Sequence, residues 1–271
     1  MKKLFKYKNK LLILFLFQFS LGQIEQSYPP LYLVSIPTAG TLPKGTFTLE
    51  SLLSKNGGFT PKLSVGFTNN FSFGVSFGIQ KLIGDEKMEY NKTTPEVQMK
   101  YRIYEESQSM PALVYGLETQ GRGAYVETYE NDDEDNVLTI NRYEQKAWGM
   151  YLALSKNWSL LGNFGLHAGV CKSISENDDE DKDLNLFFGF DKELNRSFSL
   201  LVEYDAALND NDDKYGVNDI TFGKDKGFLN AGVRWAIVPN IMMEINFNDI
   251  NKKTDADFTR REIKIMYSES F

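Results

Sequence analysis

Apolar side chains recur at every second position in one segment of this chain after another. The clearest case runs from residue 63 to residue 79, where bulky apolar residues alternate with serine, glycine and threonine on both sides of Asn69-Asn70. Successive side chains of a β-strand point to opposite faces, so a period of two predicts strands with one bulky face and one nearly bare face. Asn-Asn between two such runs predicts a tight turn, and the stretch is therefore predicted to be a β-hairpin.

The same alternation continues to the end of the sequence. In residues 260–271, Ile263, Ile265 and Tyr267 share one strand face, and the last residue is Phe271. Bacterial outer-membrane barrels resemble this ending, because their last strand typically ends in an aromatic residue with apolar residues at alternate positions before it. Glu269 departs from the pattern, and we expect it at the periplasmic rim, where a charge costs little. We expect Phe271 to be recognised by the outer-membrane assembly machinery.

Twelve alternating segments predict the fold class. They span about residues 45–54, 63–68, 71–79, 96–104, 110–119, 143–156, 158–170, 184–191, 197–207, 228–238, 241–248 and 260–271. Short connections near residues 69, 105, 157, 195 and 240 alternate with long ones at 81–93, 120–142, 172–183, 208–226 and 249–258. Such asymmetry is typical of outer-membrane barrels. For residues 44–271 the sequence therefore predicts an all-β fold, a single antiparallel transmembrane β-barrel of about 12 strands with short periplasmic turns and long acidic extracellular loops.

A secreted soluble β-sandwich is the alternative fold for an alternating sequence. Its two sheets would have to cover the apolar faces of nearly all the strands. The regular succession of short and long connections and the terminal Phe271 favour the barrel over the sandwich.

Residues 1–22 have the three parts of a cleaved signal peptide. Five lysines without an acidic residue precede an apolar run at 11–19, and small residues follow at 20–22. The apolar run is too short for a transmembrane helix. Without the leader the chain carries 25 basic and 37 acidic residues, a formal charge near −12 that argues against nucleic acid as a partner. The single cysteine, Cys171, excludes an internal disulfide.

Residues 23–43 contain four prolines and show no strand-length alternation. We predict an irregular N-terminal segment on the periplasmic side of the barrel. The alternative is that this segment enters the mouth of the barrel as a plug.

Charged residues of both signs fall on the strand face predicted to line the lumen. By position alone these are Glu50, Glu96, Lys100, Arg102, Glu118, Glu203, Asp205, Arg234, Glu244, Glu262 and Lys264. Mixed charges in a narrow lumen pair with one another, which favours a filled interior over an open pore. A selectivity lining for small solutes is the alternative, and it would make the protein a narrow channel.

The only histidine, His167, is predicted on the same inner face as Asn163 and Ser159. Histidine and asparagine with a serine would fit an outer-membrane lipid hydrolase. Ser159 lies eight residues from His167, about 26 Å along a strand, which is too far for proton transfer. A serine on a neighbouring strand is left open. Without a nucleophile motif we predict a structural histidine, no catalytic residue, no cofactor and no metal.

Acidic hexapeptides recur in two predicted loops, at residues 130–135 and 176–181, and a related run occurs at 209–213. The spacing of an EF-hand fails, because its glycine and glutamate positions are occupied by Asn136 and Arg142. We predict solvated exterior loops. Bridging by divalent cations to anionic surface sugars is the alternative.

Three stretches carry a family resemblance. They are residues 36–47 (IPTAGTLPKGTF), 63–67 (LSVGF) and 229–235 (LNAGVRW). They resemble YjbH-like outer-membrane proteins, in which a Pro-Thr-Ala segment precedes a Gly-x-Phe first strand. The resemblance implies a role in exopolysaccharide production or export, with polysaccharide as a partner.

The sequence thus predicts a non-enzymatic component of the bacterial outer membrane, with membrane lipid and lipopolysaccharide around it.

Overall fold

Sixteen β-strands form in the described part of the chain. The computed structural model describes residues 30–130, 137–179, 181–210, 227–251 and 260–271. The strands are β1 Thr46–Ser54, β2 Gly58–Gly66, β3 Phe71–Ser76, β4 Ile79–Gln80, β5 Glu89–Tyr90, β6 Glu96–Tyr104, β7 Ala112–Glu118, β8 Arg122–Glu130, β9 Val137–Gln145, β10 Gly149–Ser159, β11 Asn163–Lys172, β12 Asn185–Glu193, β13 Phe198–Asp205, β14 Phe228–Val238, β15 Ile241–Asn248 and β16 Arg260–Ser270. Short 3₁₀ turns occupy Lys55–Gly57 and Leu208–Asp210. These residues include no helix that is long and apolar enough to cross a bilayer.

Twelve of these strands close into an antiparallel barrel. The order is β1-β2-β3-β6-β7-β10-β11-β12-β13-β14-β15-β16, and β1 pairs with β16 from Thr46↔Ser270 to Leu53↔Ile263. Closure removes the free edges that an open sheet would present. The predicted all-β barrel of 12 strands is therefore confirmed, and its closed ring is not a two-sheet sandwich.

Burial alternates along the strands, with the polar residues inside. On β16, Glu262, Lys264 and Ser268 are buried, whereas Ile263 and Ile265 are 42% and 43% exposed. The same holds around the ring, and the outward side chains include Leu152, Leu154, Leu186, Phe188, Val233 and Ile245. A water-soluble protein places its apolar residues inside. This barrel has the reverse arrangement, which is typical of a barrel that spans a membrane.

One predicted turn is displaced. The turn expected at Asn157 lies at residues 160–162 instead, where Leu161 and Gly162 adopt φ of 48° and 97°. The hairpin extends this far because Trp158 pairs with Phe164, and their ring centroids lie 6.3 Å apart. Asn157 is therefore a strand residue.

The predicted strand at 143–156 is also wrong in its first third. Residues 143–145 belong to β9, which pairs with β8 in a separate two-stranded hairpin, and the barrel strand β10 starts at Gly149. Gly149 has φ of 59°, and a Cβ there would lie 2.2 Å from a backbone oxygen of Lys172. The chain bends at this glycine, and the bend divides the predicted strand 143–156 into the end of β9 and the start of β10.

We expect a charge on the outer face to destabilise the barrel. Ile265 lies halfway along β16 and faces outward. Ile265→Arg should lower the free energy of unfolding in lipid vesicles by about 2–4 kcal/mol, the cost of arginine near the bilayer midplane. Ile265→Val is the control and should change it by no more than about 1.5 kcal/mol. Equal stability of the arginine and valine variants in urea titrations would contradict a lipid-facing surface.

Candidate functional site

The bore of the barrel contains the chain's own N-terminal segment, residues 30–43, here called the plug segment. Ten of its side chains are at most 7% exposed: Leu31, Tyr32, Leu33, Val34, Ser35, Ile36, Thr38, Ala39, Thr41 and Leu42. Internal backbone hydrogen bonds make a tight turn, because the N–H of Leu33 donates to Ile36 O at 3.0 Å and that of Thr38 donates to Leu31 O at 3.1 Å. Residues 30–43 thus lie against the inner wall, whereas residues 1–22, predicted to be a signal peptide, and residues 23–29 lie outside the described residues.

A single carboxylate holds the turn of the plug segment. Glu203, on β13, accepts the backbone N–H groups of Val34, Ser35 and Ile36 at 2.9, 2.9 and 3.0 Å. Asn230 donates to the same carboxylate at 2.9 Å. Three successive amides that converge on one anion form a strong, charge-assisted contact.

Cations from the barrel wall bind the carbonyl groups of the same segment. Arg234 donates to Tyr32 O at 2.9 Å, Lys264 to Val34 O at 3.2 Å and Lys100 to Thr38 O at 3.1 Å. Glu244 is fully buried and compensates two of these charges, because its carboxylate lies 2.6 Å from Arg234 and 2.8 Å from Lys264. Buried charges need such pairing, since an unpaired ion in the interior is strongly destabilising.

Apolar contacts complete the seat of the plug segment. Leu33, Val34 and Ile36 pack in one buried cluster with wall residues that include Val114, Tyr151, Ala153, Phe187 and Leu201. Leu31 and Leu42 pack in a second cluster with Ala236, Met242 and Met266. The inner face of the wall is therefore apolar, instead of polar, where it contacts the apolar side chains of the segment.

The sequence-predicted inner charges all have side chains turned away from the outer surface, and several meet around the plug segment. Lys100, Glu203, Arg234, Glu244 and Lys264 form that group. Five others pair with neighbouring polar or charged side chains: Glu118 with Lys62 at 2.6 Å, Glu96 with Lys92 at 2.7 Å, Glu262 with Arg122 at 3.2 Å, Asp205 with Asn185 at 2.6 Å, and Arg102 with Glu105 at 3.4 Å. Glu50 is buried as well.

Some contributors were missing from the predicted set. Lys62, Arg122, Asn230 and Trp148 all contact the segment or the inner charges. Arg122 lies on β8, in a stretch predicted to be loop, whereas Trp148 lies between β9 and β10, in residues 143–156, which were predicted to be a strand. Lys62 follows a proline, where alternation is weakest.

The β8–β9 hairpin lies at the long-loop end of the bore, and we call it the lid. Arg142, on β9, contacts Asp179 at 2.8 Å and Asp210 at 2.7 Å from the neighbouring loops. Lys146 lies 2.6 Å from Asp179. At the other strand of the hairpin, Arg122 donates to Val34 O at 3.0 Å, so the lid also contacts the plug segment.

The prediction of solvated acidic loops is wrong for the second hexapeptide. Glu176, Asp179 and Asp181 are buried, and so are Asn209 and Asp210 of the related run. The physical reason is that Arg142, Lys146 and backbone amides of the lid neutralise these carboxylates. Residues 131–135 of the first hexapeptide, Glu180 of the second and 211–213 of the related run lie outside the described residues.

Two of the cavities in the bore lie on opposite sides of the plug segment. One of about 510 Å³ lies at the short-turn end and is lined by Thr38, Ala39, Gly40 and wall residues. The other, about 70 Å³, lies beneath the lid and is lined by Tyr32, Val34 and Ser35. Among the described residues the two cavities share no lining side chain, so the plug segment separates them.

The histidine meets a serine that the sequence reading did not identify. Ser155 lies directly opposite His167 across β10 and β11, and its Oγ is 2.7 Å from His167 Nδ1. His167 Nε2 lies 2.8 Å from Asp191 Oδ1 on β12. Ser159 is exposed, and Asn163 is exposed at the end of the hairpin. The signal that could have found Ser155 is the pairing register of the hairpin, which the turn wrongly placed at Asn157 obscured.

No protein-family model matches the chain, and no curated protein matches its sequence. Among solved structures, the KdgM porin aligns over 83% of this chain and 99% of its own at 10% identity, with a TM-score of 0.47. A structure of the KdgM porin in complex with disordered oligogalacturonate gives a TM-score of 0.48 at 10% identity over the same shares. The NanC porin aligns over 83% and 99% at 11% identity, with a TM-score of 0.41. These likenesses are distant, and the fold described above rests on the strand pairing of this chain itself.

We expect Glu203 to anchor the plug segment. Glu203→Gln keeps the shape of the side chain but replaces an acceptor oxygen by a donor facing the backbone amides. Loss of these bonds should cost about 1–3 kcal/mol of local stability. Hydrogen exchange of the Val34, Ser35 and Ile36 amides should therefore become faster. Glu118→Gln is the matched control, since Glu118 binds Lys62 instead of the segment backbone. Equal protection in both variants would contradict the anchoring role.

We expect the lid to loosen as pH rises. Burial raises the pKa of Glu176 to about 7, although the N–H groups of Tyr143 and Ala147 that it accepts at 2.8 and 2.5 Å oppose this shift. Because the folded pKa exceeds the unfolded one, the contribution to stability is complete below the unfolded value and is lost as pH rises through about 7. Amide exchange of Tyr143 and Ala147, corrected for its intrinsic pH dependence, should show this loss. Glu176→Gln should make the protection independent of pH, and a flat profile in the unaltered protein would disprove the linkage.

Proposed function

We propose that this chain is an outer-membrane channel that its own N-terminal segment holds closed. The observation that carries the proposal is the set of contacts between residues 30–43 and the inner wall. Glu203 binds three amides of the segment, and Arg234, Lys264 and Lys100 bind its carbonyl groups. Displacement of the segment would open a polar path along the barrel axis.

A membrane is the environment that suits the outer surface. Apolar side chains face outward on most barrel strands, while charged side chains face inward. Every backbone group within a closed barrel has a partner, so the barrel meets the requirement for crossing a lipid bilayer. The signal-peptide pattern of residues 1–22 supports the bacterial outer membrane, with the short turns in the periplasm.

The width of the barrel supports a removable plug. Eight strands enclose a space that side chains alone can fill, whereas wider barrels need a further element or leave a channel. Here 12 strands enclose the segment, and small residues such as Ser64, Ser72, Ser76 and Ser155 are buried on the inner face of the wall. If the barrel were only a structural anchor, larger side chains could have filled the space.

The solute class follows from the wall. Once the segment is absent, the bore exposes Lys100, Glu203, Arg234, Glu244 and Lys264, in which acids and bases are mixed. Such a lining favours polar solutes without strong selection for either sign of charge. We therefore assign small polar solutes to the open state.

Single-channel conductance in planar bilayers tests the proposal. The unaltered protein should conduct almost no current, because the plug segment fills the bore. A variant lacking residues 30–42 should conduct in steady steps, and Glu203→Gln should open intermittently. Glu118→Gln is the control and should stay closed. A folded variant without residues 30–42 that carries no current would refute the channel.

An exopolysaccharide role is the second candidate, and it rests on the resemblance to YjbH-like proteins. Two of the three stretches that carry the resemblance bear on the plug, since residues 36–42 lie in the bore and residues 229–235 include Asn230 and Arg234, which bind Glu203 and the segment. Loss of exported polysaccharide in a strain without the protein, restored by the intact chain, would support this role. Unchanged polysaccharide in that strain would exclude it.

A further inference from the structure

Three side chains in the bore form a hydrogen-bonded chain, which meets the plug segment at its serine end. Ser155, His167 and Asp191 project from the adjacent strands β10, β11 and β12, and all three are buried. The Oγ–Nδ1 distance is 2.7 Å and the Nε2–Oδ1 distance is 2.8 Å. Asp191 can only accept when ionised, so Nε2 carries the hydrogen and Nδ1 is left to accept the serine O–H.

The backbone makes room for this arrangement. Gly165 lies opposite Asp191 in the register, and a Cβ at Gly165 would be 2.4 Å from Asp191 Oδ1 and 2.9 Å from His167 Nε2. Any other residue at this position would push the carboxylate away from the imidazole. On the other side, the N–H of Ala39 donates to Ser155 Oγ at 2.8 Å, which favours negative charge on that oxygen.

From this geometry we propose that Ser155 is the nucleophile of an esterase site in the bore, with His167 as its base and Asp191 orienting the imidazole. A serine becomes nucleophilic when an adjacent base takes its proton and a third group holds that base. The roles are those of a serine hydrolase, with Nδ1 facing the serine in place of Nε2. The site goes beyond the channel proposal and does not depend on it.

The adjoining cavity indicates the class of substrate. Ser155, His167 and Asp191 all line the cavity of about 510 Å³, and most of the other lining side chains are polar or small. Its apolar lining is limited to small groups such as Ala112 and Pro43, so it offers no slot for a long acyl chain. We therefore assign a short acyl ester, such as an acetyl ester, of a polar and hydroxyl-rich carrier. The cavity lies by the short turns, so this carrier would enter from that end.

A cation is available in the same cavity. Arg102 lines it, and the buried Nε of Arg102 has no hydrogen-bond partner in the described part of the chain. The other guanidinium nitrogens contact Thr41 and Glu105. The positive charge of Arg102 in the cavity lining favours the oxyanion that forms when a carbonyl is attacked.

The reaction balances with water as the only second reactant. Ser155 Oγ forms a bond to the carbonyl carbon, and its proton moves to His167 Nδ1. The bond from that carbon to the carrier oxygen then breaks, and the proton on Nδ1 passes to the departing alcohol. Water repeats both steps against the acyl-serine, which releases the carboxylic acid and restores Ser155.

Covalent labelling of the folded protein in detergent tests the site. A fluorophosphonate probe should label one residue, Ser155, as identified by mass spectrometry, and p-nitrophenyl acetate should be hydrolysed. Ser155→Ala should abolish both. His167→Gln should slow labelling by about 10²-fold or more, the usual contribution of a general base. Gly165→Ala should also slow it, because it displaces Asp191.

Controls separate the chemistry from folding. Ser76→Ala removes another buried inner serine, which donates to Gln120, and should leave labelling unchanged. Each variant is first shown to keep the mobility shift between heated and unheated samples in detergent gels. No labelling of folded, unaltered protein would overturn the proposal, and so would equal labelling rates in the unaltered and His167→Gln proteins. Neither result depends on whether the protein conducts ions.

Discussion

The pairing of the first strand with the last determines the rest of this structure. Eight residue pairs, from Thr46↔Ser270 to Leu53↔Ile263, turn an open sheet into a ring with a polar inside and an apolar outside. Once the ring is closed, its circumference is fixed, and 12 strands leave more space than their own inner side chains occupy. The plug segment, the inner ion pairs and the lid are the means by which this chain fills that space.

Charge is arranged in the interior so that few groups lack a partner. Glu244 lies between Arg234 and Lys264, and both cations also reach backbone carbonyls of the plug segment. Arg142 and Lys146 repeat the pattern under the lid with Asp179 and Asp210. Removal of the segment would leave Arg234 and Lys264 paired with Glu244, but it would take away the backbone carbonyl groups that the two cations also bind. Water would have to replace these contacts, since buried charges need compensation.

The fold could largely be predicted from the sequence, since a period of two is a strong local signal, and the positions of the inner charges followed from the same parity. The turn at residues 160–162 was misplaced because Asn157 and Trp158 continue the strand through pairing with Gly165 and Phe164, which depends on the partner strand. The lid was not predicted as a hairpin because β8 and β9 pair only with each other and with no strand of the barrel. The seat of the plug segment and the Ser155–His167 contact depend on residues far apart in sequence. Such contacts follow from register and closure, which a single sequence does not reveal.

The plug segment precedes all the barrel strands in the sequence, and this order affects how the barrel can assemble. Its main acceptor, Glu203, comes 168 residues after Ser35, and Lys264 comes 230 residues after Val34. A chain that emerges from its N-terminus therefore produces the segment long before Glu203, Arg234 and Lys264, although Lys62 and Lys100 come earlier. Complete docking also needs β13 to β16, so a fully seated segment requires a complete ring. Until then the apolar side chains of Leu31, Leu33, Val34, Ile36 and Leu42 lack their wall partners, which makes an unfinished barrel prone to aggregation.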